Sequence, residues 1–151
     1  MTKLPPPEKI YEAYSAVADG RVAMRDGSAT VTSSNGEKTY SVSWDGDEYA
    51  SDDNATRWQG YPGYPVLAVL MLQGRLPYRP ETAALFAGID WTSLNARHKR
   101  NYAAAVAEVM RSLADAGRDT DVVAREAKAA HEALAAMELT VKRGASRKKT
   151  S

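Results

Sequence analysis

The sequence predicts an α+β fold, in which a β-meander lies between helical segments. Three turn dipeptides separate runs in which apolar and polar residues alternate: Asp26-Gly27, Asn35-Gly36 and Asp45-Gly46. Such dipeptides favour type I′ hairpin turns, because both central residues of that turn have positive φ. Before and after this region the apolar residues instead recur every three or four positions, as they do on one face of a helix.

The first element predicted is a helix over residues 8–18. Ile10, Tyr14 and Val17 fall on one face at helical spacing, and Gly20 follows as a left-handed C-cap. An antiparallel meander of three or four strands comes next. Its alternating apolar residues are Val22, Met24, Ala29, Val31, Tyr40, Val42, Trp44 and Tyr49. The third run is expected to turn its aromatic face toward the first helix and its serines toward water.

Residues 51–65 form a loop rich in Asp, Asn, Gly and Pro that also carries three aromatic side chains. Pro65 then begins a helix that runs through Leu72 and ends before Gly74. Apolar residues cover nearly every face of this helix, so it should be buried on most sides.

The C-terminal half is predicted to be helical. A short helix begins at Pro80, and a long one is expected over residues 94–116. Gly117 ends the long helix, and Asp119 or Thr120 caps a second one, so the two form an αα-hairpin. We therefore divide the chain into three parts: a helix, meander and buried helix (1–76), a helical extension packed on them (77–140), and a basic disordered tail (141–151).

Composition narrows the function classes. The chain of 151 residues contains no cysteine, so thiolate metal sites and disulfides are excluded, and its formal charge is only +1. The N-terminus has no apolar signal segment, and the apolar run of residues 66–72 is far too short to span a bilayer. The sequence predicts a cytoplasmic protein with no membrane association, no cofactor, no metal and no catalytic residues.

Residues 37–73 resemble the SWIM-type zinc-binding module. That family follows a β segment with Cys-x-Cys, then a variable loop, then Cys-x-His leading into an apolar helix. The matching segments here are Gly20-Arg21-Val22, Tyr40-Ser41-Val42, Ala50-Ser51-Asp52, Gly63-Tyr64-Pro65 and Val66-Leu67-Ala68-Val69-Leu70. No zinc ligand stands at the expected positions, because Ala50 and Asp52 fall where Cys-x-Cys would be, and Gly63 and Pro65 fall where Cys-x-His would be. The resemblance covers about residues 8–74 and implies a metal-free relative of a module that contacts DNA or protein.

Two groups of side chains are candidate binding residues. The aromatic loop could be a stacking surface, or its rings could be core that replaces a metal. Its candidate residues are Asp52, Asp53, Arg57, Trp58, Tyr61 and Tyr64. The second group could contact phosphates, or it could be a solvated surface. Its members are Arg97, His98, Lys99, Arg100, Lys142, Arg143, Arg147, Lys148 and Lys149.

The leading hypothesis is a non-enzymatic interaction module that binds protein or nucleic acid. The alternative is a small-molecule-binding protein, or an unrecognised enzyme, that uses the loop of residues 51–65. The alanine-rich C-terminal helices could also pair between copies, so a monomer or a weak homodimer is expected.

Overall fold

The computed structural model describes residues 3–143, and it has the α+β architecture that the sequence predicts. The helices are α1 (Lys9–Ala18), α2 (Tyr64–Leu72), α3 (Pro80–Ala84), α4 (Trp91–Arg97), α5 (Tyr102–Asp115) and α6 (Thr120–Ala136). The strands are β1 (Val22–Arg25), β2 (Ser28–Thr32), β3 (Thr39–Asp45), β4 (Glu48–Ser51) and β5 (Thr140–Arg143), and one π-helical turn spans Ala55–Gln59. In the described residues no helix is both long and apolar enough to cross a bilayer.

The five strands form one sheet in the order β1-β2-β3-β4-β5. The first four strands make the antiparallel meander predicted from the turn dipeptides. The turn type was predicted incorrectly, because only the glycine of each dipeptide has positive φ: 72° at Gly27, 78° at Gly36 and 62° at Gly46. Glycine alone supplies the left-handed residue that each turn needs.

The fifth strand corrects the prediction of a disordered tail from residue 141. Thr140–Arg143 pairs in parallel with β4, and Val141 lies opposite Tyr49 in the register. The sequence favoured a tail because the two basic residues of this strand continue into a basic segment. Residues 144–151 of the predicted tail lie outside the described part of the chain.

The core is built around α1 and α2, which pack against each other. Strands β1, β3 and β4 contact α2, so the sheet packs on α2. The sequence had predicted packing of the aromatic face of the third strand on the first helix instead. Every residue of α2 from Pro65 to Met71 is buried, as its uninterrupted apolar sequence predicts. Helices α3 and α6 pack on α1, and this enclosure buries polar residues of α1 together with apolar ones.

The predicted long helix over residues 94–116 is interrupted. Helix α4 ends at Arg97, and α5 begins after Asn101, whose side chain accepts a hydrogen bond from the backbone N–H of Ala104. Lys99 and Arg100 between them adopt φ of 55° and 66°. No Gly or Pro marks this break in the sequence, so the periodicity appears continuous across it. Helix α6 and the turn at Gly117 are as predicted.

Candidate functional site

A cleft of about 480 Å³ lies beside the π-helical turn. Side chains from α1, β3, the turn, and the starts of α2 and α5 line it. Four tyrosines share its wall: Tyr40, Tyr61, Tyr64 and Tyr102. We call this space the tyrosine cleft. Its volume is in the range of pockets that hold small molecules in other proteins.

A buried ion pair from α1 forms part of the cleft wall. Lys9 and Glu12 are only 8% and 5% exposed, and Nζ of Lys9 lies 3.3 Å from Oε2 of Glu12. Asn95 of α4 donates a second, longer hydrogen bond to the same oxygen, at 3.4 Å. Lys9 and Glu12 are three positions apart, so both lie on the same face of α1.

Burial and mutual attraction shift the pKa values of both members of this pair. Desolvation raises the pKa of the Glu12 carboxyl, and the neighbouring Lys9 only partly opposes that rise. Burial also acts against the charged form of Lys9, but the attraction of Glu12 and Tyr102 outweighs it and raises the pKa of the ammonium group. Lys9 is therefore a charged donor throughout the neutral range, held within 3.9 Å of the Tyr102 ring centroid.

Burial keeps three tyrosine hydroxyls of the cleft neutral. Burial raises the pKa of Tyr40, Tyr61 and Tyr64 above the ordinary value of 10.0. Tyr40 and Tyr64 also contact each other edge-to-face, with ring centroids 6.4 Å apart. A neutral phenol can both donate and accept a hydrogen bond, so the wall offers polar groups of both kinds.

The loop that frames the cleft is held together by Asp53. Its carboxylate accepts hydrogen bonds from Ser51 Oγ at 2.5 Å and from Thr56, through Oγ1 at 2.8 Å and the backbone N–H at 3.1 Å. Asp52 beside it accepts from the backbone N–H of Ser41 at 2.8 Å and so ties the loop to β3. Both carboxylates are buried, and both serve the loop's structure.

The hypothesis that three aromatic rings form the core of the loop is wrong for Trp58. This side chain is 63% exposed, whereas Tyr61 and Tyr64 are half-buried at the cleft. The guanidinium groups of Arg57 and Arg143 each lie 5.1 Å from the Trp58 ring centroid. A polar network around Asp53 can fix the loop without a buried ring, because each of its bonds is shielded from water.

The basic segment at residues 97–100 lies at the end of α4 and not in the first turn of a long helix. Arg97 and His98 both bind Glu108, with contacts of 2.9 and 2.7 Å. The hydrogen bond from His98 lowers the pKa of the Glu108 carboxyl. Cations are favourable at a helix C-terminus, so these residues suit the end of α4. Arg100 lines the cleft, and its neighbour Lys99 does not.

The other candidate basic residues divide between two locations. Lys142 and Arg143 lie in β5, where Lys142 forms an ion pair with Glu48 at 3.0 Å and Arg143 lies near Trp58. Arg147, Lys148 and Lys149 lie outside the described residues.

The titratable cleft residues that were not among the sequence candidates are Lys9, Glu12, Tyr40 and Tyr102. A Lys and a Glu three positions apart on a helix usually form a solvated pair, so their spacing gave no warning. Composition did contain one signal, since the chain has eight tyrosines and one phenylalanine. Such a bias indicates aromatic surfaces that also need hydroxyl groups.

Comparison with known proteins identifies a family. No curated protein and no solved structure matches the chain. One family model, described as "Uncharacterised conserved protein UCP014422", matches residues 2–140. Within residues 3–143 no group of three or more His, Asp or Glu side chains is arranged to hold a metal ion.

The resemblance to the SWIM-type module is thereby shown to be wrong. The matching family model covers the first helix, the meander and the C-terminal helices together, so the chain is not a SWIM module followed by an extension. The turn chemistry and the apolar helix that carried the resemblance are features that other α+β folds share. The chain belongs to the family of uncharacterised conserved proteins designated UCP014422.

Proposed function

We propose that this protein binds a small organic molecule in the tyrosine cleft. The observation that carries the proposal is the buried Lys9–Glu12 pair in the wall of an open cleft lined by four tyrosines. Burying two charges costs free energy, and apolar side chains could pack on this face of α1 without that cost. Titratable groups with shifted pKa values in a cleft are characteristic of functional sites.

A second, smaller cavity supports the polar character of this site. It measures about 70 Å³ and shares Glu12, Tyr40 and Tyr64 with the tyrosine cleft. Two other residues that line it, Arg21 and Asn95, hold buried polar atoms with no hydrogen-bond partner within residues 3–143. The walls around Glu12 therefore have hydrogen-bonding capacity that the fold itself does not use.

The test is a thermal-shift screen followed by calorimetry. The panel contains amino acids, nucleosides, sugar phosphates and aromatic acids, and a ligand of the cleft raises the melting temperature by mass action. Calorimetry then compares the wild type with Tyr61→Phe and Tyr102→Phe. Loss of one hydroxyl should weaken binding about threefold to tenfold.

Tyr78→Phe is the matched control, because it removes a hydroxyl outside the cleft lining. The proposal fails if no compound of the panel stabilises the protein. It also fails if the control weakens binding as much as the cleft variants do.

A second candidate function, contact with a protein or nucleic-acid partner, is favoured by Trp58. Its exposed ring lies near two arginines, and this combination suits stacking on a base next to a phosphate. Salt-dependent retention on single-stranded DNA tests it, with Trp58→Ala expected to reduce retention and Leu72→Ala, at another exposed apolar position, expected to leave it unchanged.

The contribution of the C-terminal basic residues needs two separate variants. Deletion of residues 144–151 removes Arg147, Lys148 and Lys149 and leaves β5 in place. Arg143→Ala removes a cation beside Trp58. Retention that neither variant changes would argue against a basic nucleic-acid surface.

Self-association through the C-terminal helices stays a prediction. Val109, Met110 and Leu113 of α5 are only partly buried, although they pack against the core cluster. Size-exclusion chromatography with light scattering distinguishes a monomer from a homodimer, and Met110→Lys should dissociate a dimer that uses this face.

A further inference from the structure

The acidic groups of the tyrosine cleft are already bonded within the protein. Asp53 accepts hydrogen bonds from Ser51 and Thr56, and Glu12 accepts them from Lys9 and Asn95. Both carboxyl groups are buried in these arrangements. A ligand that needed a carboxylate partner would have to compete with these bonds.

The cations of the cleft are less committed. Lys9 Nζ has three donor hydrogens, and Glu12 is its one hydrogen-bonded acceptor within residues 3–143. Arg100 is exposed and lines the cleft, and its guanidinium makes no ion pair or hydrogen bond with any described residue. Two cationic groups with unused donors therefore line the same space.

The aromatic rings that could attract an external cation already lie close to cations of the protein itself. Lys9 lies 3.9 Å from the Tyr102 centroid and Lys3 lies 5.9 Å from that of Tyr61. The two arginines near Trp58 complete this arrangement at the rim. An external cation would have to displace an internal one from these rings.

We propose that the ligand of the tyrosine cleft is a small organic anion, in which a carboxylate or phosphate group is attached to a planar ring. The anionic oxygens bind Lys9 and Arg100, and the ring lies among the tyrosines. This inference rests on the proposed small-molecule function and specifies the chemical class of the ligand. Charged donors in a partly buried cleft give strong, directional bonds to such oxygens.

The backbone holds Arg100 in a conformation that glycine adopts more easily. Lys99 and Arg100 both adopt left-handed φ, and Arg100 N–H closes the end of α4 by bonding to the Asn95 carbonyl at 2.8 Å. Glycine is the usual residue in such a helix ending, and any other residue is strained there. Lys99 carries the same strain without lining the cleft, whereas glycine at position 100 would relieve the strain and also remove the guanidinium from the cleft.

The test uses four probes of similar size that differ in charge. Phenyl phosphate and benzoate are the anions, benzyl alcohol is neutral and benzylamine is the cation. Each is titrated into the isotopically labelled full chain at neutral pH and low salt, with amide chemical shifts as the readout. The comparison variants are Arg100→Gly and Lys99→Gly, which relieve the same kind of strain, although only Arg100 lines the cleft.

We expect one or both anions to shift the amide signals around the π-helical turn and the start of α1. Arg100→Gly should weaken that binding at least about tenfold, and Lys99→Gly should leave it within about twofold of the wild type. The two anions distinguish a carboxylate ligand from a phosphate ligand. A melting temperature of Arg100→Gly at or above that of the wild type excludes unfolding as the cause.

The other outcomes overturn the inference in separable ways. If benzyl alcohol or benzylamine binds as tightly as the anions, the anion inference falls and the small-molecule function stands. If Lys99→Gly weakens binding as much as Arg100→Gly, the role assigned to Arg100 is wrong. If none of the four probes shifts a cleft amide, the inference is overturned, and the thermal-shift panel decides the proposed function separately.

Discussion

The Asp53 carboxylate occupies the space into which any side chain at Gly63 would extend. A Cβ built on Gly63 would lie 2.1 Å from Oδ2 of Asp53, well inside van der Waals contact. The φ of Gly63 is −77°, which any residue can adopt, so the requirement for glycine here is steric. The buried Asp53 carboxylate thus both stabilises the loop and requires a glycine at position 63, immediately before α2.

Gly63→Ala should destabilise the protein by about 1–3 kcal/mol, the usual cost of forcing an extra methyl group into a packed site. Urea unfolding measures the loss. The double variant with Asp53→Ala should cost less than the sum of the two single variants, because removal of the carboxylate relieves the clash. Strict additivity would show that Gly63 and Asp53 are not coupled.

The Lys9–Glu12 pair makes a second stability prediction. Lys9→Met leaves a buried carboxyl without its cation and should cost about 3 kcal/mol or more in urea unfolding. Lys9→Met combined with Glu12→Gln removes both charges and should recover part of that loss. Lys142→Met is the matched control at an exposed pair and should cost less than about 1 kcal/mol.

The stability loss caused by Lys9→Met should depend on pH. Burial already raises the pKa of Glu12, and removal of Lys9 removes the main opposing interaction. A carboxyl whose pKa is higher in the folded state contributes stability below its unfolded pKa, and that contribution is lost as the pH rises through the folded pKa. The deficit of Lys9→Met should therefore be smallest in acid, and a deficit independent of pH would contradict this account.

Alkaline pH should unfold the wild-type protein cooperatively. Burial raises the pKa of five tyrosines above the ordinary 10.0: Tyr11, Tyr14, Tyr40, Tyr61 and Tyr64. Their stabilisation is present below the unfolded pKa and is lost as the pH rises through the folded values, and Lys9 acts in the same direction. Tyrosinate absorbance from these five side chains should appear together with the loss of circular dichroism, whereas their titration near pH 10 in an intact fold would refute the prediction.

Lys99→Gly should stabilise the protein by about 1 kcal/mol, because it removes left-handed strain from a side-chain-bearing residue. Thermal unfolding followed by circular dichroism measures the gain. Ala96→Gly in α4 is the control, since glycine inside a helix should destabilise by a similar amount. A loss of stability in Lys99→Gly would mean that the Lys99 side chain makes a contribution larger than the strain.

The sequence predicted those parts of the fold that local chemistry determines. Turn glycines located the meander, and an uninterrupted apolar run located the buried helix α2. The break between α4 and α5 could not be predicted, because Lys99 and Arg100 occupy conformations that their residue types disfavour. Strand β5 was missed for a different reason, since its pairing partner β4 is remote in the chain.

Only a minority of the residues that line the candidate site were predicted from the sequence. Tyr61 and Tyr64 stood out because they lie in one loop, and the structure places both at the cleft. Lys9 and Tyr102 come from helices far away in the chain, and only the packing of α1 brings them to the same space. Sequence spacing predicts which residues share a face of one helix or strand, but it does not predict tertiary contacts between distant elements.

The parallel pairing of β5 with β4 also has a consequence for how the chain folds during synthesis. Lys142 contacts Glu48 across a separation of 94 positions, so β5 is translated only after helices α1 to α6 and cannot pair with β4 before then. An open strand edge is a template for association with other chains, and non-local pairing forms slowly. A sheet that formed before β5 is translated would be four strands wide, with β4 as its unprotected edge.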